Sequence, residues 1–217
     1  SRVDGIRAGV VSGRSLSGIR RLIRLRGLVY VGNHGLEIQG PRVRFVHPAA
    51  ARAIPVLRRI AARGRAALQE IRGAIVESKR LSLSIHYRLV SARRIAQFQR
   101  RVRRALAPWV GRRSVRVTRG KRVIEVRPPV IWHKGSAVDW LMKAYRCRRG
   151  AVIYVGDDRT DEDAFRAVNR HRGISIVVGP SRQASAARWR LNSPDEVGQM
   201  LALIVAERRR TQRARSR

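Results

Sequence analysis

Ala151-Val152-Ile153-Tyr154-Val155-Gly156-Asp157-Asp158-Arg159-Thr160-Asp161-Glu162-Asp163 changes character abruptly at Gly156. The five residues before it form an almost wholly apolar run, which predicts a strand buried on both faces within a central parallel sheet. The seven positions after it hold five of the chain's 14 acidic residues. In a protein of formal net charge +35 such clustering is not composition. A carboxylate at a strand end, with another about one helical turn later, makes a hard-oxygen site suited to Mg²⁺. Open parallel sheets place their ligands at the carboxyl ends of strands, where this motif sits. Capping and dipole compensation account for Asp161 to Asp163 as first-turn acids. They do not account for an apolar strand that stops at Gly-Asp-Asp. The motif is therefore a candidate metal site.

Working outward, Gly173 to Val178 reads as another buried strand, and Glu196 to Val205 as a closing helix with Pro194 near its start. Upstream, Ser136 to Arg146 is an amphipathic helix opened by His133-Lys134-Gly135. A lysine at a helix N-terminus opposes the macrodipole, which suits an anionic phosphate, although a solvated lysine fits as well. Near the start, Val10-Val11-Ser12-Gly13-Arg14 predicts a strand that feeds a loop and then a helix capped by Ser15. A hydroxyl there, beside backbone N–H groups, suits a phosphate oxygen, and Ser-Gly is also an ordinary turn. Leu28 to Val31 predicts a further strand, ending in the glycine-bracketed loop Gly32-Asn33-His34-Gly35.

Between these pieces the pattern changes. Residues 49–70 are helical, with Ile54, Leu57, Ile60, Ala61 and Leu68 at helix spacing. Strands follow at 74–77 and 81–87. The strict alternation of Leu81-Ser82-Leu83-Ser84-Ile85-His86 marks a sheet with one solvated face. A helix over 92–106 stops before Pro108, and 115–118 with 122–126 form a hairpin about Gly120. Pro128-Pro129 closes the module. The chain is thus α/β. Residues 1–40 and 128–207 build a parallel-sheet core, and residues 41–127 form an inserted module with an antiparallel sheet. Residues 208–217 form a basic tail with no apolar face, expected to be disordered.

Of the 49 basic residues, 45 are arginines spread along the 217-residue chain. That spread fits a compositional bias towards arginine better than one dedicated nucleic-acid face. Non-specific adsorption to nucleic acid is nonetheless expected from charge alone. No apolar run approaches the roughly 20 residues a membrane helix needs, so no membrane role is expected. The single cysteine, Cys147, cannot form an internal disulfide, and a cytoplasmic location is the default.

The acidic motif, the Ser12 loop and the Lys134 loop, in this order around an inserted module, resemble a haloacid dehalogenase-type phosphatase. Gly32-Asn33-His34-Gly35-Leu36-Glu37, Glu77-Ser78-Lys79 with His86-Tyr87-Arg88, Gly120-Lys121-Arg122-Val123-Ile124-Glu125-Val126, Lys134-Gly135 and Gly156-Asp157-Asp158-Arg159-Thr160-Asp161-Glu162 together resemble the trehalose-6-phosphate phosphatases, from about Gly5 to about Glu207. The resemblance implies a Rossmann-like core with an α/β cap and Mg²⁺-dependent hydrolysis of trehalose 6-phosphate. It implies that Ser12 bonds the transferring phosphoryl group and that Lys134 steadies its charge. Asp157 and Asp161 would hold Mg²⁺ directly or through water. Lys79, His86, Arg88, Lys121 and Glu125 would recognise the sugar, with Asn33 and His34 at the core–cap border. Read without the resemblance, Lys79, His86 and Arg88 could be a solvated strand face.

The family's Asp-x-Asp-Gly-Thr segment, whose first Asp attacks phosphorus, is expected a strand and a helix before Ser12. Asp4-Gly5 lies too near Ser12 and has no partner Asp, and Asp161-Glu162-Asp163 belongs to the metal motif. The chain is accordingly expected to be a fragment without the first core strand, and inactive alone. Hydrolysis of another sugar phosphate, sugar-phosphate sensing without catalysis, and nucleic-acid binding are the competing readings.

Overall fold

The structure is a computed structural model that describes residues 5–180 and 184–215. In chain order its elements are β1 (Gly9–Val11), α1 (Leu16–Ile23), β2 (Val29–Gly32), β3 (Glu37–Gly40), β4 (Val43–Val46), α2 (Pro48–Arg52), α3 (Ile54–Leu68), β5 (Ile75–Ser78), β6 (Leu83–His86), α4 (Ile95–Gly111), β7 (Arg116–Gly120), β8 (Val123–Arg127), α5 (Lys134–Ala144), β9 (Ile153–Gly156), α6 (Glu162–Arg170), β10 (Ile174–Val178), β11 (Trp189–Leu191) and α7 (Pro194–Arg215). The chain divides into two compact units, one of residues 1–10, 27–29 and 132–217, the other of 11–26 and 30–131. The segment 1–40 is thereby shared between the units, and β1 and β2 straddle the division.

In the first unit, β9, β10 and β11 form a parallel sheet in the order β11-β10-β9. Helix α6 buries Ala164, Phe165, Ala167 and Val168, the 3.6-period stripe of its short amphipathic sequence. Gly135, in the first turn of α5, lets that helix approach closely, since a Cβ there would collide with the Asp163 carbonyl.

The second unit holds the four-stranded antiparallel sheet β5-β6-β8-β7. Leu83 and Ile85 of β6 stand opposite Val126 and Ile124 of β8. With Leu57, Ile60, Phe98, Val102 and Leu106 from α3 and α4 they form one apolar core. Because strand side chains alternate, Ser84, His86 and Glu125 share the opposite face. That face is not solvated where the alternation predicts it to be. Ser82 is 1% and Ser84 0% exposed, because both hydroxyls are used in a buried polar network.

Other expectations are corrected by local chemistry. The helix expected over 49–70 breaks at Ala53 into α2 and α3, since Pro55 offers no N–H to the preceding turn. The β7–β8 hairpin turns at Lys121-Arg122, Arg122 taking φ 60°, while Gly120 stays paired with Val123. Strands β4 and β11 carry no alternation strong enough to announce them. Residues 208–215 are not disordered but continue α7. Arginine is a good helix former, Glu207 pairs with Arg210 at 3.3 Å, and Thr211 Oγ1 donates to the Glu207 carbonyl at 3.0 Å. Ser216 and Arg217 lie outside the described residues, as does Asp4. No described helix is long and apolar enough to cross a membrane.

Candidate functional site

The first unit gathers the acidic motif around one carboxylate. Strand β9 ends at Gly156, and Asp158 begins a short 3-10 turn that delivers Asp161 to the start of α6. Asp161 is only 4% exposed. A Cβ on Gly156 would lie 2.5 Å from Asp161 Cγ, so only glycine leaves room for this carboxylate. Asp161 Oδ1 accepts from Lys134 Nζ at 2.8 Å and from the Tyr154 hydroxyl at 2.6 Å. Asp161 Oδ2 accepts the Asp158 N–H at 3.1 Å. Lys134, in the first turn of α5, is buried, so its charge is offset by this partner rather than by water. The Tyr154 phenol is pushed above its ordinary range by burial first and by the Asp161 charge next, which keeps it a donor.

Asp157 is exposed at the end of β9, and Asp158 Oδ2 accepts from Thr160 Oγ1 at 3.0 Å. Among the described residues no group of three or more His, Cys, Asp or Glu is arranged to hold a metal. The donors nevertheless suit a hard divalent cation in part. Asp157 is open to bind directly. Asp161, with both oxygens engaged, suits contact through water.

The second unit holds the remaining predicted residues in three places. Ser12 follows β1, its Oγ accepting the Arg14 N–H at 3.2 Å, so the hydroxyl is held beside a turn of backbone amides. Asn33 and His34 both take positive φ, 49° and 57°, in the turn after β2. Asn33 is wholly buried. Its amide donates to Glu37 Oε1 at 2.7 Å and to the Lys79 carbonyl at 3.0 Å, and its carbonyl accepts from Ser82 Oγ. His34 Nε2 accepts from Arg127 at 2.9 Å, which leaves the ring proton on Nδ1, because a guanidinium can only donate. Burial holds that guanidinium below its ordinary range, and the Glu125 charge opposes the shift.

Lys79 and Glu125 form a buried pair at 3.3 Å. Lys79 Nζ also donates to the Gly13 carbonyl at 3.3 Å, and Ser84 Oγ donates to Glu125 Oε1 at 2.7 Å. Glu125 Oε2 is buried and has no hydrogen-bond partner. His86, Arg88 and Lys121 are apart from this pair. They line an open groove of about 620 Å³ with Glu77, Leu89 and Arg122, and there His86 Nε2 meets Glu77 Oε2 at 2.8 Å. The predicted sugar residues therefore fall into a buried group and a groove group.

The trehalose-phosphatase family model matches residues 6–195. The chain belongs to the trehalose-phosphatase family. Probable trehalose-phosphate phosphatase D of Arabidopsis thaliana is 32% identical over 219 residues, an alignment covering 95% of this chain and 58% of that protein. This member of the trehalose-phosphatase family thus spans a little more than half the length of that curated relative. The crystal structure of a trehalose-6-phosphate phosphatase related protein matches with TM-score 0.76 at 24% identity, covering 94% of this chain and 82% of that one. A haloacid dehalogenase-like hydrolase from Bacteroides thetaiotaomicron matches with TM-score 0.62 at 16% identity, covering 95% and 87%. The fold of this family member is accordingly of the haloacid dehalogenase type.

Sequence reasoning missed Tyr154, Ser82, Ser84, Glu37 and Arg127. A phenol inside an apolar strand, and two serines alternating with leucines, were the available signals. Glu37 ended the Gly32-to-Glu37 motif, and Arg127 offered nothing beyond its charge.

Proposed function

We propose that this chain supplies the phosphate-handling and sugar-recognising residues of a Mg²⁺-dependent phosphatase of trehalose 6-phosphate, located in the cytoplasm. The observation that carries the reading is the buried Lys134–Asp161 pair at 2.8 Å, set at the end of β9 beside Gly156-Asp157-Asp158. A buried ammonium with one fixed carboxylate partner keeps donors available for a phosphate oxygen. Ser12 adds a hydroxyl donor to the same kind of ligand. Mg²⁺, held by Asp157 and through water by Asp161, would polarise the phosphoryl oxygens.

Glu125 Oε2 supports a hydroxyl-rich substrate, since a buried carboxylate oxygen without a donor is costly and a sugar hydroxyl can supply one. Lys79 holds the other oxygen of that carboxylate and so orients it. His86, Arg88 and Lys121 give the groove further polar contacts. The division into a core of residues 1–40 and 128–207 and a cap of 41–127 is part of this reading. The chain contains no Asp-x-Asp-Gly-Thr segment, so we expect it alone to bind the substrate and to hydrolyse it little.

Calorimetric titration of the chain with trehalose 6-phosphate, trehalose and glucose 6-phosphate, each with Mg²⁺, tests the reading. Saturable binding of trehalose 6-phosphate, at least tenfold tighter than either partial ligand, is expected. Equal affinity for all three would overturn the substrate assignment. Phosphate release by the chain well above background would overturn its expected inactivity.

A second reading, adsorption to nucleic acid, is favoured by one observation. Helices α3 and α4 pack together and carry eight arginines without a single carboxylate. Fluorescence anisotropy with single-stranded RNA should then show binding that weakens steeply with salt. No binding at low salt, or binding that survives high salt, would count against it.

A further inference from the structure

We infer that Tyr154 is a positioning residue whose hydroxyl fixes Asp161 Oδ1, so that the Lys134 ammonium is presented to phosphate in one orientation. The inference rests on the phosphate-binding reading of Lys134 given above. Three elements meet on a single oxygen: Tyr154 from β9, Asp161 from the turn before α6 and Lys134 from α5. The donor sense is fixed by chemistry, because an ionised carboxylate only accepts.

Packing alone does not ask for a tyrosine. Strand β9 is otherwise Ile, Val and Gly, and the Tyr154 ring meets Phe165 edge-on at 5.8 Å and 80°. Phenylalanine would make that contact equally well. The hydroxyl is what differs, and it is spent on Asp161 at 2.6 Å. A lysine side chain has four rotatable bonds, so its ammonium is localised only as well as its acceptor. Asp161 Oδ2 is tied to the Asp158 backbone, and Tyr154 ties the other oxygen. With both oxygens fixed the carboxylate cannot rotate, and Lys134 has one place to dock.

The chain has four lysines, at positions 79, 121, 134 and 143, so ¹⁵N-lysine labelling gives a short list of ammonium signals. Lys134 and Lys79 are the two buried ones. Tyr154→Phe should move the Lys134 signal and speed its hydrogen exchange about tenfold, the equivalent of one lost hydrogen bond. The Lys79 signal should stay where it is. An unmoved Lys134 signal would overturn the coupling. Loss of both signals would assign Tyr154 to the general fold and overturn it too. Separately, inorganic phosphate added to the unaltered chain should move the Lys134 signal. If it does not, the phosphate reading fails and with it the purpose of the coupling, whereas failure in the variant alone leaves that reading intact.

Discussion

Ser84 stands opposite Glu125 in the β6–β8 pair, and its hydroxyl donates to Glu125 Oε1 at 2.7 Å. The pairing holds a carboxylate on the non-core face of the sheet, where Lys79 supplies its countercharge. Removing one partner of a buried ion pair strands the other, which costs about 3–5 kcal/mol. Glu125→Gln should therefore destabilise the fold by roughly that amount in urea unfolding. Ser84→Ala should cost about 1 kcal/mol. Glu125→Gln combined with Lys79→Met should recover most of the stability but no trehalose 6-phosphate binding in calorimetry. Recovery of both would mean that the pair is structural only.

Gly156 packs closely against Asp161 within the acidic motif. A Cβ at Gly156 would sit 2.5 Å from Asp161 Cγ and 2.7 Å from its Cβ. Gly156→Ala must push Asp161 away and disturb its bond to Lys134. The expected cost is about 1–3 kcal/mol, the usual range for overpacking. Mg²⁺-dependent phosphate binding, followed by calorimetry, should fall at least tenfold. Binding equal to that of the unaltered chain would show that the Asp161 position does not matter to the anion.

That a strand stops at Gly156 was legible from the apolar run and the clustered acids after it, but its central, doubly buried place was not: β9 ends the order β11-β10-β9 and Ile153 is 44% exposed. Lys134 was singled out because a cation at a helix start is out of place, and it is buried against Asp161 rather than solvated. Its partner was not legible, since nothing in spacing says that Asp161, rather than Asp157 or Asp163, turns inward. The buried serines were misread because alternation reports which residues share a face, not what covers that face. Ser82 is enclosed by Asn33, a residue 49 positions away, and no local pattern carries such a contact. The continuation of α7 was misread for a different reason. A run of arginines lacks an apolar face, yet its own helix propensity and the Glu207–Arg210 pair suffice.

Glu70 gives a pH-dependent term. The Arg101 guanidinium, 2.6 Å away, holds its carboxyl below the usual glutamate range, first by hydrogen bonding and then by charge. A depressed folded value means stability that is present above the ordinary glutamate pKa and lost as pH falls through the folded one. Glu70→Gln should thus lower the melting temperature slightly at neutral pH. The difference should shrink as pH falls below the ordinary glutamate range and vanish once the Glu70 carboxyl of the folded chain is itself protonated. A difference that persists in acid would mean that the contact is not electrostatic.

Among the described residues, arginine occupies seven of the nine non-glycine positions with positive φ: Arg24, Arg42, Arg80, Arg113, Arg122, Arg146 and Arg172. A side chain there costs about 1–2 kcal/mol against the following carbonyl, which glycine avoids at a smaller entropic cost. Arg24 is the C-cap of α1, its N–H bonded to the Arg20 carbonyl, a position where helices commonly place glycine. Arg42, Arg146 and Arg172 are exposed. Replacing each of these four by glycine should stabilise the chain by about 0.5–1 kcal/mol, read as a higher urea midpoint with unchanged slope. Arg103, mid-helix in α4, is the control. Glycine there should destabilise by about 1 kcal/mol. If both kinds of substitution destabilise alike, the left-handed arginines carry no strain, and their contacts with the surface outweigh the backbone cost.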